Sequence, residues 1–108
     1  MAVPTITLDM PRVTRLGNTQ FGVLSGQVAI SSYDTAHPAV AAITGKFKDT
    51  VLLRVLSGAV STLGFWVAWD RATLSFKAYT SAGTVPVEVA NTTNVGNVDF
   101  VAIGHLGL

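Results

Sequence analysis

Apolar and polar residues alternate with a period of two along most of this chain, the spacing that places successive side chains on opposite faces of a β-strand. Val3, Thr5 and Thr7 alternate with Pro4, Ile6 and Leu8, predicting a first short strand that stops near Asp9-Met10-Pro11. Phe21, Val23, Ser25 and Gln27 oppose Gly22, Leu24, Gly26 and Val28, in a second segment that runs on to Ile30. Gly26 inside it marks a bulge or a point of close backbone approach. Residues 51–56 form a nearly continuous apolar run broken by Arg54, the pattern of a strand covered on both faces. In residues 65–69, Phe65, Val67 and Trp69 share one face and Trp66 and Ala68 the other. Leu74, Phe76, Ala78 and Thr80 alternate with Ser75, Lys77 and Tyr79; Val85, Val87 and Val89 with Pro86, Glu88 and Ala90; and Val98, Phe100, Ala102 and Gly104 with Asp99, Val101 and Ile103.

Turn residues punctuate these runs. Asp70-Arg71-Ala72-Thr73 joins two alternating segments and predicts an antiparallel hairpin, Ser81-Ala82-Gly83 is the next turn, and residues 91–97 form a loop. Residues 38–43 have Pro38 at a helix-start position and Gly45 past the end, but four Ala/Val residues suit a strand or a packed loop equally. Short strands at this spacing predict an all-β, single-domain antiparallel sandwich or barrel over residues 1–108. The candidate core is Phe65, Val67, Trp69, Phe76 and Phe100, with Trp66 on the opposite face, turned outward or lying under a loop.

Composition sharpens this reading. Val is the commonest residue, Thr is close behind, and Glu88 is the only glutamate. β-branched residues favour strands, and charged helix formers are scarce. Apolar residues make up 49% of the chain and charged ones 12%. A chain this small leaves much of its surface exposed, so part of the apolar set is expected to face another protein. A formal net charge of +1 argues against a phosphate-gripping face. The absence of cysteine excludes disulfides, thiol catalysis and cysteine-ligated metals. The first residues show neither the basic nor the apolar region of a secretory signal, and no apolar run approaches the ~18 residues of a membrane span.

Reactive constellations are missing. His37 and His105 stand apart without companion ligands, the five aspartates are scattered singly, and no nucleophile elbow occurs. The Gly17 to Gly22 spacing lacks the Lys-Ser/Thr of a phosphate loop, and Asn91-Thr92-Thr93, though a glycosylation sequon, reads as a polar loop. The expectation is a non-enzyme with no catalytic, metal or cofactor residues. Asp34 and Asp70, beside turns, are expected to bond their own backbone. Trp66, His37, His105, Leu106 and Leu108 are the candidate interface residues, with residues 105–108 read as an arm reaching a neighbour or as a frayed tail.

Five segments carry a family resemblance: Ile30-Ser31-Ser32-Tyr33, Phe65-Trp66-Val67-Ala68-Trp69-Asp70, Leu74-Ser75-Phe76-Lys77-Ala78-Tyr79, Val87-Glu88-Val89-Ala90-Asn91-Thr92-Thr93-Asn94-Val95 and Val98-Asp99-Phe100-Val101-Ala102-Ile103-Gly104. Together, over roughly residues 17 to 104, the chain resembles capsid decoration (cement) proteins of tailed bacteriophages. The resemblance implies a jelly-roll-like β-sandwich, made in the host cytoplasm, that sits as a homotrimer on the capsid exterior against the major capsid protein, without direct nucleic-acid or membrane contact. Asp34-Thr35-Ala36-His37-Pro38 stands where that family has a Gly-rich loop. The competing expectation is a tail or head-fibre module that grips host glycans with Trp66 and the loop at residues 91–94.

Overall fold

The computed structural model describes residues 3–58, 60–80 and 86–106. In chain order the elements are β1 (Thr5–Leu8), β2 (Thr14–Arg15), β3 (Phe21–Ile30), α1 (Ala41–Thr44), β4 (Asp49–Ser57), β5 (Trp66–Asp70), β6 (Ser75–Thr80), β7 (Val87–Glu88) and β8 (Gly96–His105). They form two antiparallel sheets: β1-β3-β8-β4, with β2 also on β3, and β5-β6-β7. The predicted all-β sandwich is the observed fold.

The β3–β8 ladder forms the spine of the larger sheet, in unbroken register from Phe21↔His105 to Ile30↔Gly96. Its inner face pairs large residues with small ones, Phe100 opposite Gly26 and Leu24 opposite Ala102. Gly26 marks close approach, not a bulge: a Cβ there would lie 2.3 Å from the Thr7 carbonyl oxygen of β1. At Gly104 a Cβ would lie 2.7 Å from the Phe47 ring, so that glycine makes room for an aromatic lid.

Val67, Phe76 and Ala78 of the smaller sheet meet Leu24, Val28, Val98 and Phe100 of the larger one in a single buried cluster. The Phe76 and Phe100 rings, 6.2 Å apart, join the two layers. The predicted hairpin is β5–β6, in register from Trp66↔Tyr79 to Asp70↔Ser75. Its turn closes through the Leu74 N–H to the Asp70 carbonyl at 2.8 Å, with Leu74 left-handed at φ 56°. Along one side the sheets are tied by the Ser57 hydroxyl, which donates to the Val67 carbonyl at 2.7 Å.

One expectation is corrected and one open reading is decided. β4 is an edge strand buried on one face only: Leu53 and Val55 point inward, while Val51, Leu52 and Leu56 are exposed. An apolar run does not reveal whether a second layer covers its outer side. Residues 38–43, left open by pattern, end in the single helical turn α1, held by the Val40 N–H on the Leu74 carbonyl and by buried Val40 and Ile43. The predicted turn at residues 81–83, Val85 and Leu108 lie outside the described residues.

Candidate functional site

The outer face of the larger sheet is built by residue parity. Burying Val98, Phe100, Ala102 and Gly104 sends Val101 and Ile103 of β8 to the opposite side. Register places Leu56 and Ser25 on either side of Val101, and Arg54 and Val23 on either side of Ile103. Leu56 is 68% exposed and Val101 38%. The register shift between Asp49 and Arg54 leaves Val51 outside the ladder, 66% exposed. A solvated face of an antiparallel sheet is ordinarily polar. Here it carries an apolar band with one guanidinium, and the Arg54 and Arg71 side chains both donate to the Val51 carbonyl, at 2.9 and 3.2 Å.

The smaller sheet presents a different surface. Trp66 and Tyr79 stand side by side, then Ala68 and Lys77, then Asp70, whose partner Ser75 is buried. Trp66, 51% exposed, borders an open cleft of about 360 Å³ with Val67, Ala68, Tyr79 and Pro86. Lys77 Nζ lies 2.7 Å from Asp70 Oδ2. That hydrogen bond holds the Asp70 carboxyl below its ordinary range and raises Lys77. The Asp70 carboxylate also accepts the Ala72 N–H, and that of Asp34 accepts the Ala36 N–H, both as expected of turn aspartates.

Trp69 packs from the inner side on Phe76, ring centroids 5.0 Å apart, but it is half-buried and its indole N–H is enclosed without a partner among the described residues. Phe65 is likewise partly buried against the core, whereas Val67, Phe76 and Phe100 are fully inside. Trp69→Ala is therefore expected to cost about 2–3 kcal/mol, below the ~3–5 kcal/mol of a fully buried ring. Trp66→Ala should change stability by no more than about 0.5 kcal/mol. Paired denaturant titrations check both, and equal losses would reverse the assignment of faces.

His37, an expected interface residue, belongs to an internal cluster. Its Nε2 and the Tyr33 hydroxyl both contact Glu88 Oε2, and the same hydroxyl accepts the Ala78 N–H at 3.3 Å. Backbone bonds from Tyr33 N to Thr93 O and from Thr92 N to Tyr33 O tie the loop to the segment after β7. His37 takes up φ 55° to reach its place. The cleft beside it measures about 10 Å³, room for one water at most. The cluster pins a loop and is too tight for a ligand.

Burial, then the bond to Glu88, holds the Tyr33 phenol far above its ordinary 10.0. Burial pushes Glu88 up, but its hydrogen bonds with Tyr33 and His37 outweigh that and hold the carboxyl below its ordinary 4.5. A depressed carboxyl contributes stability above its unfolded pKa and loses it as pH falls through the folded one. A raised phenol contributes below pH ~10 and loses it above. Glu88→Gln should lower stability at neutral pH, and its deficit against the parent chain should shrink as pH drops below 4.5. Thermal melts at pH 7 and pH ~3 read this out, and a constant deficit would refute it.

His105 Nε2 lies 2.7 Å from Gln20 Oε1, and its ring meets Phe21 edge-on at 5.7 Å. Leu106, read from sequence as part of an arm or a frayed tail, is tied to its own chain. Its N–H donates to the Gln20 carbonyl at 2.7 Å, and its side chain packs on the core beside Gly22. Apolar surface at the end of β8 is satisfied by the chain's own β2–β3 region. Pattern reading also missed Tyr33 and Glu88, whose only sequence signal is the solitary glutamate.

Among the described residues no three His, Asp or Glu side chains gather to hold a metal. Fold and surfaces together define a small β-sandwich domain whose distinctive features are the outer faces of its two sheets. Comparison with protein-family models, with curated proteins and with solved structures finds no match.

Proposed function

We propose that this domain is a structural binding protein, and that it decorates the exterior of a tailed-phage head by seating the outer face of its larger sheet on the major capsid protein. The observation that carries the reading is the apolar band of Leu56, Val101 and Ile103 on a sheet face that solvent would otherwise cover. Low charge and the sequence resemblance support it. Pressure from packaged DNA strains a shell where capsomers meet. A protein that binds only the assembled lattice stabilises it by mass action, and this requires matched apolar area instead of reacting groups. Three-fold closure, hence a homotrimer, follows from the resemblance; composition says only that the chain associates.

Co-sedimentation with empty shells tests the docking. The parent chain should pellet with shells, and Leu56→Asp combined with Val101→Asp should weaken binding at least about tenfold without altering the melting temperature much, because both positions face outward. A parent chain that stays in the supernatant, or a double variant that binds undiminished, defeats the proposal. Light scattering of free and shell-bound protein reads the trimer.

A further inference from the structure

We propose that the cleft on the outer face of the smaller sheet binds a neutral carbohydrate. The site lies on the other sheet from the docking band and does not depend on the decoration reading. Its volume of about 360 Å³ falls in the range of small-ligand sites. Trp66 and Tyr79, cross-strand neighbours, place two aromatic side chains at one end, and Ala68 leaves the floor low. Beyond the cleft's lining, Lys77 roughly 7 Å and Asp70 roughly 13 Å further along the strands form an ion pair that offers acceptors and donors. An apolar surface ending in a rigid polar pair matches a sugar ring, which has a C–H face and a hydroxyl rim.

The surroundings select this occupant over others. Beside the cleft the Asp70 carboxylate and the Lys77 ammonium neutralise each other, so no net positive charge is offered to a phosphate or an acidic sugar. An added peptide strand would need a free ladder. The β5 edge here is taken by the Val60 bridge to Trp66 and by the Ser57 hydroxyl on the Val67 carbonyl. The loop at residues 91–94, expected from sequence to share in glycan binding, is committed elsewhere: Asn91 Oδ1 accepts the Thr35 N–H and hydroxyl, and Asn94 Oδ1 the Gly96 N–H.

The test is titration of the full chain with short neutral oligosaccharides of hexose and N-acetylhexosamine units, followed through the Trp66 indole N–H by NMR. Sialyllactose and a proline-rich peptide serve as comparison ligands. At least one neutral oligosaccharide should bind at millimolar concentration or below. Trp66→Ala and Tyr79→Ala should each weaken it about tenfold, while Leu56→Asp on the other sheet leaves it unchanged. No shift with any neutral oligosaccharide at about 10 mM overturns the proposal. So does equal or tighter binding of sialyllactose or the peptide, or undiminished binding by a folded Trp66→Ala chain.

Discussion

Phe100→Ala is expected to remove about 3–5 kcal/mol of unfolding free energy. Phe100 is the largest of the fully buried side chains, lies opposite Gly26 in the β3–β8 ladder and meets Phe76 across the sandwich. Truncation at that point opens a cavity where the two sheets join. Its walls are strands held by backbone ladders, so they close on the void only in part. For a domain of this size total stability is on the order of 5–15 kcal/mol, and the melting temperature should drop by on the order of 15–30 °C. Chemical denaturation with an unchanged slope is the measurement. Phe100→Leu, expected to lose at most about 1.5 kcal/mol, guards against a variant that does not fold. A loss under about 1 kcal/mol for the alanine variant would mean that the sheets meet elsewhere.

Gly26→Ala should cost about 1–3 kcal/mol although it adds a single methyl group. The new Cβ would sit 2.3 Å from the Thr7 carbonyl oxygen and 3.0 Å from the Leu8 Cα. Both are backbone atoms, so no side-chain rotation relieves the clash. The cheapest escape is for β1 to lift from β3, which also strains the Asp9 N–H bond to the Ser25 carbonyl and the Ser25 hydroxyl bond to the Asp9 carboxylate. The damage should therefore be local. Hydrogen exchange should accelerate in the β1 amides well before those of β8, and uniform acceleration or none at all would contradict the packing of β1.

The two predictions probe different bonds between sequence and fold. Phe100 acts through volume, which tolerates a smaller apolar side chain. Gly26 acts through backbone distance, which tolerates nothing larger than hydrogen. The Glu88 cluster adds a third kind of tie, polar and pH-dependent, that locks the loop of residues 33–38 against β7.

Alternation alone located β3 over its full length, β8 to within two residues at its start and one at its end, and the β5–β6 hairpin to within one residue. It also set Trp66 on the face opposite Val67 and turned Phe76 and Phe100 inward, while the structure decided that Trp66 is exposed. Side-chain parity is a local property of an extended backbone, and a fold of half-buried strands writes it directly into the sequence. What parity cannot encode is which surface lies on the far side of a residue. β4 reads as doubly covered because its run is apolar, yet only the final stacking of layers leaves Leu56 and Val51 in solvent. Tyr33 and Glu88 are 55 positions apart and Leu106 is far from Gln20, so their meetings depend on chain paths that bring distant segments together. The fold class was therefore settled by short-range pattern. The exposed apolar band, the aromatic cleft and the loop lock were settled by tertiary structure, because each is a relation between strands and not a property of any one of them.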